Sequence, residues 1–362
     1  MATWKRSRLE NELRGFVCFL HQQGKMTDVL TANTEIRTEL YVNGYSFEEY
    51  LDYLRHSHPD LYDLLSHERS CDAERRIAEM NMISWEFENE KACGRGSAYN
   101  VAQKSADNRK VGMITLLKCF LSTFEVPGQG FRILDVLGGD GTFARFCKTL
   151  GHDTPTIYTA DISKFMIDAC HAQALPCVRQ SATNSLFRDN ALDGVLIAYG
   201  SHHLDGNARR LAFREAHRTL RGGGCVVLHD FEIGGKCAKW FESVVHPYSR
   251  TGHPHAHFSR HEMLHLLTSA GFRDVRVFEI PDPFTLHGRS PEQAKHNALM
   301  HMYDMYDLIK VADSACDVAP CLERYITETL GPISIRQKEG RYVAQIPRHA
   351  LVAVGTKSTY DS

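Results

Sequence analysis

The chain has 362 residues, 43% hydrophobic and 24% charged, the balance of a globular protein with length for one large domain or two ordinary ones. Forty-two Lys and Arg against forty-four Asp and Glu leave a formal charge of −2, which implies no polyanion-binding field and excludes nucleic acid as an expected partner. Eleven cysteines with no CxxC pair fit a reducing compartment better than a disulfide framework or a zinc finger. The start, MATWKRSRLE, is basic, but the apolar patch after it, GFVCFLHQQ, is too short and too polar for a signal core or a membrane span. A cytoplasmic protein with no membrane partner is expected. From 1 to about 125, apolar residues recur at three- and four-residue spacing in FEEYLDYL, PDLYDLL, AERRIAEMNMISWEFENEKA and VGMITLLKCFL. This pattern predicts an all-α region. VPGQG at 126–130 ends it, because Pro and two glycines stop a helix.

After that break, strand-like and helix-like runs alternate. FRILDV reads as a buried strand, TFARFCKTLG as a helix closed by Gly151, TIYTAD as a strand, and SKFMIDACHAQAL as a helix with Ser163 as N-cap. LDGVLIAYG, GCVVLHDF and VRVFEI follow as strands, separated by the amphipathic NARRLAFREAHRTLRGGG and SRHEMLHLLTSAGF. A last strand, HALVAVGTK, closes the chain. Strands apolar on both faces in repeated βα units predict an α/β fold with a doubly wound, parallel sheet. Two more helical patterns, PEQAKHNALMHMYDMYDLIKVA and CLERYITETLG, form an insertion at about 285–340 before the last strand. Its expected place is over a ligand-binding edge.

The stretch DVLGGDGTF at 135–143 joins the first strand to its helix, a geometry in which backbone N–H groups and a helix N-terminus face a ligand. Gly138, Gly139 and Gly141 have the wrong spacing for the dinucleotide fingerprint GxGxxG, which disfavours NAD. The segment resembles the first motif of the class I S-adenosylmethionine (SAM) dependent methyltransferases. Asp135, Gly139 and Gly141 occupy matching positions, and Leu137 replaces the first glycine. Asp161, ending TIYTAD, stands where that family places the acidic residue for the ribose hydroxyls. SATNSLFRDNALDGVLIAYGSHHL resembles the third and fourth stations, with Ser181 where an Asp meets the adenine amine, and RGGGCVVLHDF resembles the turn and fifth strand. The resemblance covers about 105–280 plus the terminal strand. It implies a Rossmann-like seven-stranded sheet over 126–362 behind a helical region at 1–125 that caps or dimerises. The implied cofactor is SAM, contacted by Asp135, Gly138, Gly139, Gly141, Asp161, Ile162, Ser181, Ala182 and Tyr199.

Ligands of open α/β sheets sit beyond the carboxyl ends of the strands. His202 and His203 follow LIAYGS there, and His229 with Asp230 follows CVVL. Imidazole with carboxylate suits iron, zinc or another metal ion, and equally suits strand-end capping. RTGHPHAHFSRHEM adds His253, His255 and His257, and FTLHGRSPEQ adds His287. Together with the helical N-terminal half, these features look like the 2-oxo acid C-methyltransferases, of the phenylpyruvate and 2-ketoarginine types. That resemblance implies an iron or zinc ion held by His229, Asp230 and His287. It further implies methylation at C3 of a 2-oxo acid, with His203, His229 and His257 as catalytic histidines. The general base stays open among His202, His203 and the 253–257 run. A guanidinium tail on the substrate would need carboxylates, offered by Glu86, Glu88 and Glu90 or by Asp304 and Asp307, with Tyr303 and Tyr306 for stacking. The expected partners are a small-molecule substrate and a second copy of the chain, as a homodimer. Two other readings remain: metal-free O- or N-methylation of a natural-product intermediate, and a SAM-binding protein that does not methylate.

Overall fold

The structure, a computed structural model, describes residues 41–42, 44–70, 73–121, 130–151, 154–314 and 317–360. The basic start, GFVCFLHQQ and all of VPGQG except Gly130 lie outside the described residues. Among the described residues no helix is long and apolar enough to cross a membrane.

The longer N-terminal helices among the described residues are α1 (Phe47–Ser57), α2 (Ala73–Ile83), α3 (Gly96–Ala102) and α4 (Lys110–Leu121), with two single-turn helices, Pro59–Tyr62 and His67–Ser70, between α1 and α2. A capping box between Ser46 and Glu49 starts α1. The single helix expected over AERRIAEMNMISWEFENEKA stops at Ile83 and becomes two 3-10 turns, Trp85–Phe87 and Glu90–Ala92. Glu88, between those turns, reaches across the chain and accepts from Ser163 Oγ and Lys164 N–H, both at 3.0 Å. Tyr50 donates its hydroxyl to the carbonyl of Cys177 at 2.8 Å. These contacts seat the N-terminal region directly on the core.

The core alternates β1 (Arg132–Asp135), α5 (Thr142–Thr149), β2 (Thr156–Asp161), α6 (Lys164–His171), β3 (Cys177–Arg179), β4 (Leu192–Ala198), α7 (Gly206–Thr219) and β5 (Leu220–Asp230). After β5 come α8 (Lys236–Trp240), α9 (Arg260–Ser269), β6 (Arg273–Pro281), β7 (Phe284–Gly288), α10 (Pro291–Tyr306), α11 (Val318–Thr329), β8 (Ser334–Lys338), β9 (Arg341–Ile346) and β10 (His349–Thr356). The main sheet has seven strands in the order β3-β2-β1-β4-β5-β10-β6. β1 to β5 pair in parallel, while β10 runs antiparallel to both β5 and β6. Ile133, Leu134, Ile157, Val195, Ile197, Val226 and Leu228 are buried, which is why the strand sequences read as apolar on both faces.

The register of β10 explains where the insertion lies. His349 pairs with Pro281 and Leu351 pairs with Asp230, and Asp282 N–H donates to the Arg348 carbonyl at 2.9 Å. The excursion therefore leaves and re-enters the sheet at the end where β5 finishes. Three of its strands escaped the sequence reading: β7, β9 and β8 form a separate antiparallel sheet. β8 alternates little and is mostly exposed, so it gave no apolar run to detect. α10 packs against β7, β9 and α3, closing the excursion over the N-terminal region.

Candidate active site

The loop after β1 turns through two left-handed glycines, Gly139 at φ +56 and Gly141 at φ +79. A side chain at either position would be strained. Gly138 lacks room instead, since a Cβ there would stand 2.7 Å from Thr159 Cγ2 and 2.9 Å from Asp135 Oδ2. Leu137 needs no positive φ, and its Cδ1 lies over Gly200. Gly139 N–H donates to Asp161 Oδ2 at 3.0 Å and Ser163 N–H to Oδ1 at 2.9 Å, which fixes the carboxylate at the tip of β2. Burial pushes the Asp161 carboxyl up to about 6 against those hydrogen bonds. Burial, with the nearby Asp161 charge, pushes Asp135 up to about 8.

Asp135, Leu137, Gly138 and Tyr199 line one small cavity, with Arg109 among its other walls. Ile162 turns its carbonyl to Arg179 Nε at 2.9 Å. Ser181 closes a local turn by accepting from Thr183 N–H at 3.2 Å, with buried Ala182 between them, and it lines a separate cavity of about 160 Å³ with Met80 and Arg76. Tyr199, just past β4, sits at φ +60, a conformation that non-glycine residues seldom adopt outside constrained sites. Of the nine expected cofactor residues, Asp135, Gly138 and Tyr199 thus line one cavity, Ser181 lines another, and Asp161 at the β2 tip is tied to Gly139 of the loop.

The expected metal ligands do not come together. His229 and Asp230 are adjacent on a strand and point to opposite sides. His229 packs against Tyr199, with ring centroids 4.1 Å apart and planes tilted by 48°, and its Nε2 is 3.5 Å from Asp282 Oδ2. Asp230 faces His202, His257 and Ser201 instead. His287 is exposed on β7 of the second sheet, opposite Val343. The set His229, Asp230 and His287 does not fit a metal ion, and no chemistry is routed through it.

What sequence reasoning underweighted is a cluster of five histidines. His202 donates from Nδ1 to Asp230 Oδ1 at 2.9 Å, because an ionised carboxylate can only accept. Asp230 also accepts from the N–H groups of His202, at 2.9 Å, and Phe231, at 2.7 Å. Burial would raise Asp230, but the His202 ring and the hydrogen bonds from His202 and Ser201 hold it well below the usual carboxylate range. His202 is lowered by burial, with Asp230 opposing. The ring of His257 is buried, 3.6 Å from Asp230 Oδ1, and neither of its nitrogens has a hydrogen-bond partner. His203 faces Glu86 Oε2 at 3.0 Å from Nδ1, and burial pushes it down to about 3. The helix after α8 widens to a π turn at Phe241–Val245, which brings the Phe241 ring to 4.3 Å from His253 and 4.8 Å from His257. Such turns commonly occur at functional sites.

Beside this cluster lies a second buried polar group. Asp282 accepts from Tyr199 Oη at 3.1 Å and from Arg348, and burial of its carboxyl is overcome by Arg348, His229 and Arg109, which hold it down to about 2. Arg109 lies over the Tyr199 ring at 4.5 Å and donates to Met305 Sδ at 3.1 Å. No carboxylate of the described residues is within ion-pair distance of it. The sequence carried no signal for Arg109, Asp282 or Arg348, since each sits in a separate, ordinary-looking segment.

That sheet order and glycine loop agree with the Rossmann-like, seven-stranded fold that the sequence resemblance implies. Residues 134–228 match the family described as methyltransferase domain. The chain is similar to the ubiquinone/menaquinone biosynthesis C-methyltransferase UbiE of Ruegeria sp., 29% identical over 134 residues, covering 34% of this chain and 52% of that protein. The protein of the same name from Nitrosospira multiformis is 27% identical over 199 residues, covering 47% and 78%. This chain spans about half the length of the first of these relatives. A solved phosphoethanolamine N-methyltransferase 2 of Haemonchus contortus, in complex with S-adenosyl-L-methionine, is 13% identical at a TM-score of 0.42, covering 67% of this chain and 52% of that one.

Proposed function

We propose that the protein transfers the methyl group of SAM to a carbon of a small 2-oxo acid, with His202 as the general base. The observation that carries this reading is the Asp230–His202 pair at the carboxyl ends of β4 and β5, where ligands of open sheets bind. A carboxylate on Nδ1 fixes the tautomer and leaves Nε2 as a lone pair for the acceptor's proton. The imidazolium that forms on proton removal is stabilised by the same carboxylate. Burial keeps His202 neutral in the resting protein, as a base must be.

The cofactor side follows from the loop. Asp161 would accept the ribose hydroxyls, Ile162 and the Ser181–Ala182 turn would flank the adenine, and Asp135 with Gly138 would meet the amino-acid end. Gly139 and Gly141 let the backbone come close. The guanidinium of Arg109 in the cavity wall, with no carboxylate of the described residues at ion-pair distance, supports an acceptor that carries a carboxylate, because direct pairing would offset the cost of burying that cation. The C-methyltransferase names of the UbiE relatives point the same way as the 2-oxo acid resemblance.

The test is incubation with methyl-labelled SAM and a panel of 2-oxo acids, alcohols, phenols and amines, followed by mass spectrometry of the products. Label at C3 of a 2-oxo acid is the expected result. Label only on oxygen or nitrogen would replace this reading, since the same base could deprotonate a hydroxyl. No label on any acceptor, with SAM bound, would favour a protein that holds SAM without transferring its methyl group.

A further inference from the structure

The loop TGHPHAHF after the π turn has no regular secondary structure, yet its burial alternates. His253 and His257 are buried and His255 half-buried, while Pro254 and Ala256 are exposed. An extended chain with period two aims all three imidazoles at one face; His253 and His257 both lie 5.0 Å from the His202 ring, and His257 also approaches Asp230 at 3.6 Å. Opposite His255 stands Glu86, carried on the 3-10 turn Trp85–Phe87 of the N-terminal region. One oxygen of Glu86, Oε2, is 3.0 Å from His203 Nδ1 and 3.3 Å from His255 Nε2. Its other oxygen is held by Arg95 Nε at 3.2 Å, so the carboxylate cannot swing away.

We propose that Glu86, His203 and His255 form a binding site for a divalent first-row transition metal of the zinc class, independent of His229, Asp230 and His287. Three arguments support it. Ligand atoms around a tetrahedral zinc ion, each about 2.1 Å from it, lie roughly 3.4 Å apart, and the two oxygen-to-nitrogen distances here already approach that. The three donor atoms, one from each residue, lie within 4.8 Å of one another and come from three separate chain segments. His253 adds a buried ring whose Nε2 has no hydrogen-bond partner, with centroids 5.0 Å from His255 and 5.4 Å from His203. Two imidazoles and a carboxylate are a common set for zinc, iron(II) and manganese, and three ligands leave a position for an exchangeable oxygen. The Glu86 set is only half-buried, so an ion and a small ligand can reach it. The His202 and His203 rings are 4.5 Å apart, which would put an acceptor oxygen on the ion beside the base. That last role rests on the methyl-transfer reading; the binding site does not.

The experiment uses the full chain without a polyhistidine tag, stripped with a chelator and titrated with Co²⁺ in the absence of SAM. Visible ligand-field absorption should saturate at about one equivalent per chain, and Zn²⁺ should abolish it by competition. Glu86→Gln and His255→Gln should each weaken Co²⁺ binding at least tenfold, while Asp230→Asn and His287→Ala should bind as the wild type does. Circular dichroism checks that each variant is folded; if Glu86→Gln is not, the His255→Gln comparison decides. Absence of Co²⁺ uptake by the wild type would overturn the proposal, as would wild-type binding in the folded His255→Gln and Glu86→Gln proteins. Loss of binding in Asp230→Asn with retention in His255→Gln would also overturn it, by moving the ion to the other triad. Because no methyl acceptor is present, failure here leaves the methyl-transfer reading standing, and failure of the acceptor panel leaves this one standing.

Discussion

A Cβ placed on Gly112 would fall 2.0 Å from Oδ1 of Asp282. Helix α4 therefore gives up helix propensity so that the carboxylate shared by Arg348 and Tyr199 can press against its backbone. Tyr199 Oη is also close, at 2.8 Å from the same point.

Gly112→Ala should consequently destabilise the protein, although alanine is the better helix former. Overpacking of this kind costs about 1–3 kcal/mol. The check is thermal unfolding followed by circular dichroism. A midpoint equal to or above that of the wild type would show that Asp282 does not sit against α4.

Asp230→Asn keeps the size of the side chain but can no longer impose the Nδ1–H tautomer on His202. Methyl transfer should fall about 10²–10⁴-fold, with SAM affinity nearly unchanged, because the cofactor loop does not touch Asp230. Single-turnover rates and SAM titration separate the two effects. A variant within twofold of wild-type activity would remove His202 as the base.

The pH dependence of the cofactor-free protein has a definite sign. The Asp135 carboxyl is raised from 3.8 to about 8 in the folded chain, so folding favours its protonated form. The associated stability is fully present below about pH 4 and is lost as pH rises through 8, at up to about 1.4 kcal/mol per unit. Asp161, raised to about 6, adds to the same trend at lower pH. Melting temperatures of the wild type and Asp135→Asn between pH 5 and 8 should diverge, with the variant losing less. Parallel curves would mean that Asp135 is already ionised. If it is protonated at pH 7, SAM binding should release close to one proton as the ligand's ammonium group arrives. Calorimetry in buffers of different ionisation enthalpy reads that directly.

His287→Ala should change neither activity nor stability, within about 0.5 kcal/mol, since the side chain is exposed on the second sheet. A tenfold loss of methyl transfer would return His287 to the reacting centre.

Much of the core could be read from sequence because its strands are buried on both faces and its turns need glycine. Ile133, Ile157, Val195 and Val226 form apolar runs, and Gly139 and Gly141, matched to the loop motif, adopt left-handed backbone. The histidine cluster was visible only as composition. Its members were counted, but which imidazole meets which carboxylate depends on where the 253–257 loop folds back and on the turn that carries Glu86. Neither follows from periodicity. Reading His229 and Asp230 as one ligand pair failed for a simple reason: β5 stays extended through Asp230, so adjacent side chains diverge. His287 was assigned by its position after β6, and the sheet formed by β7, β8 and β9 carries it elsewhere.

The turn between Ser84 and Gly96 touches both halves of the chemistry. Glu86 enters the histidine cluster, while two residues later Glu88 holds the start of α6, next to the strand tip that presents Asp161. Any free energy that one ligand gains by ordering this turn must by reciprocity be felt by the other. Under the methyl-transfer reading, donor and acceptor would therefore share a thermodynamic linkage through a segment that belongs to neither strand nor loop of the sheet.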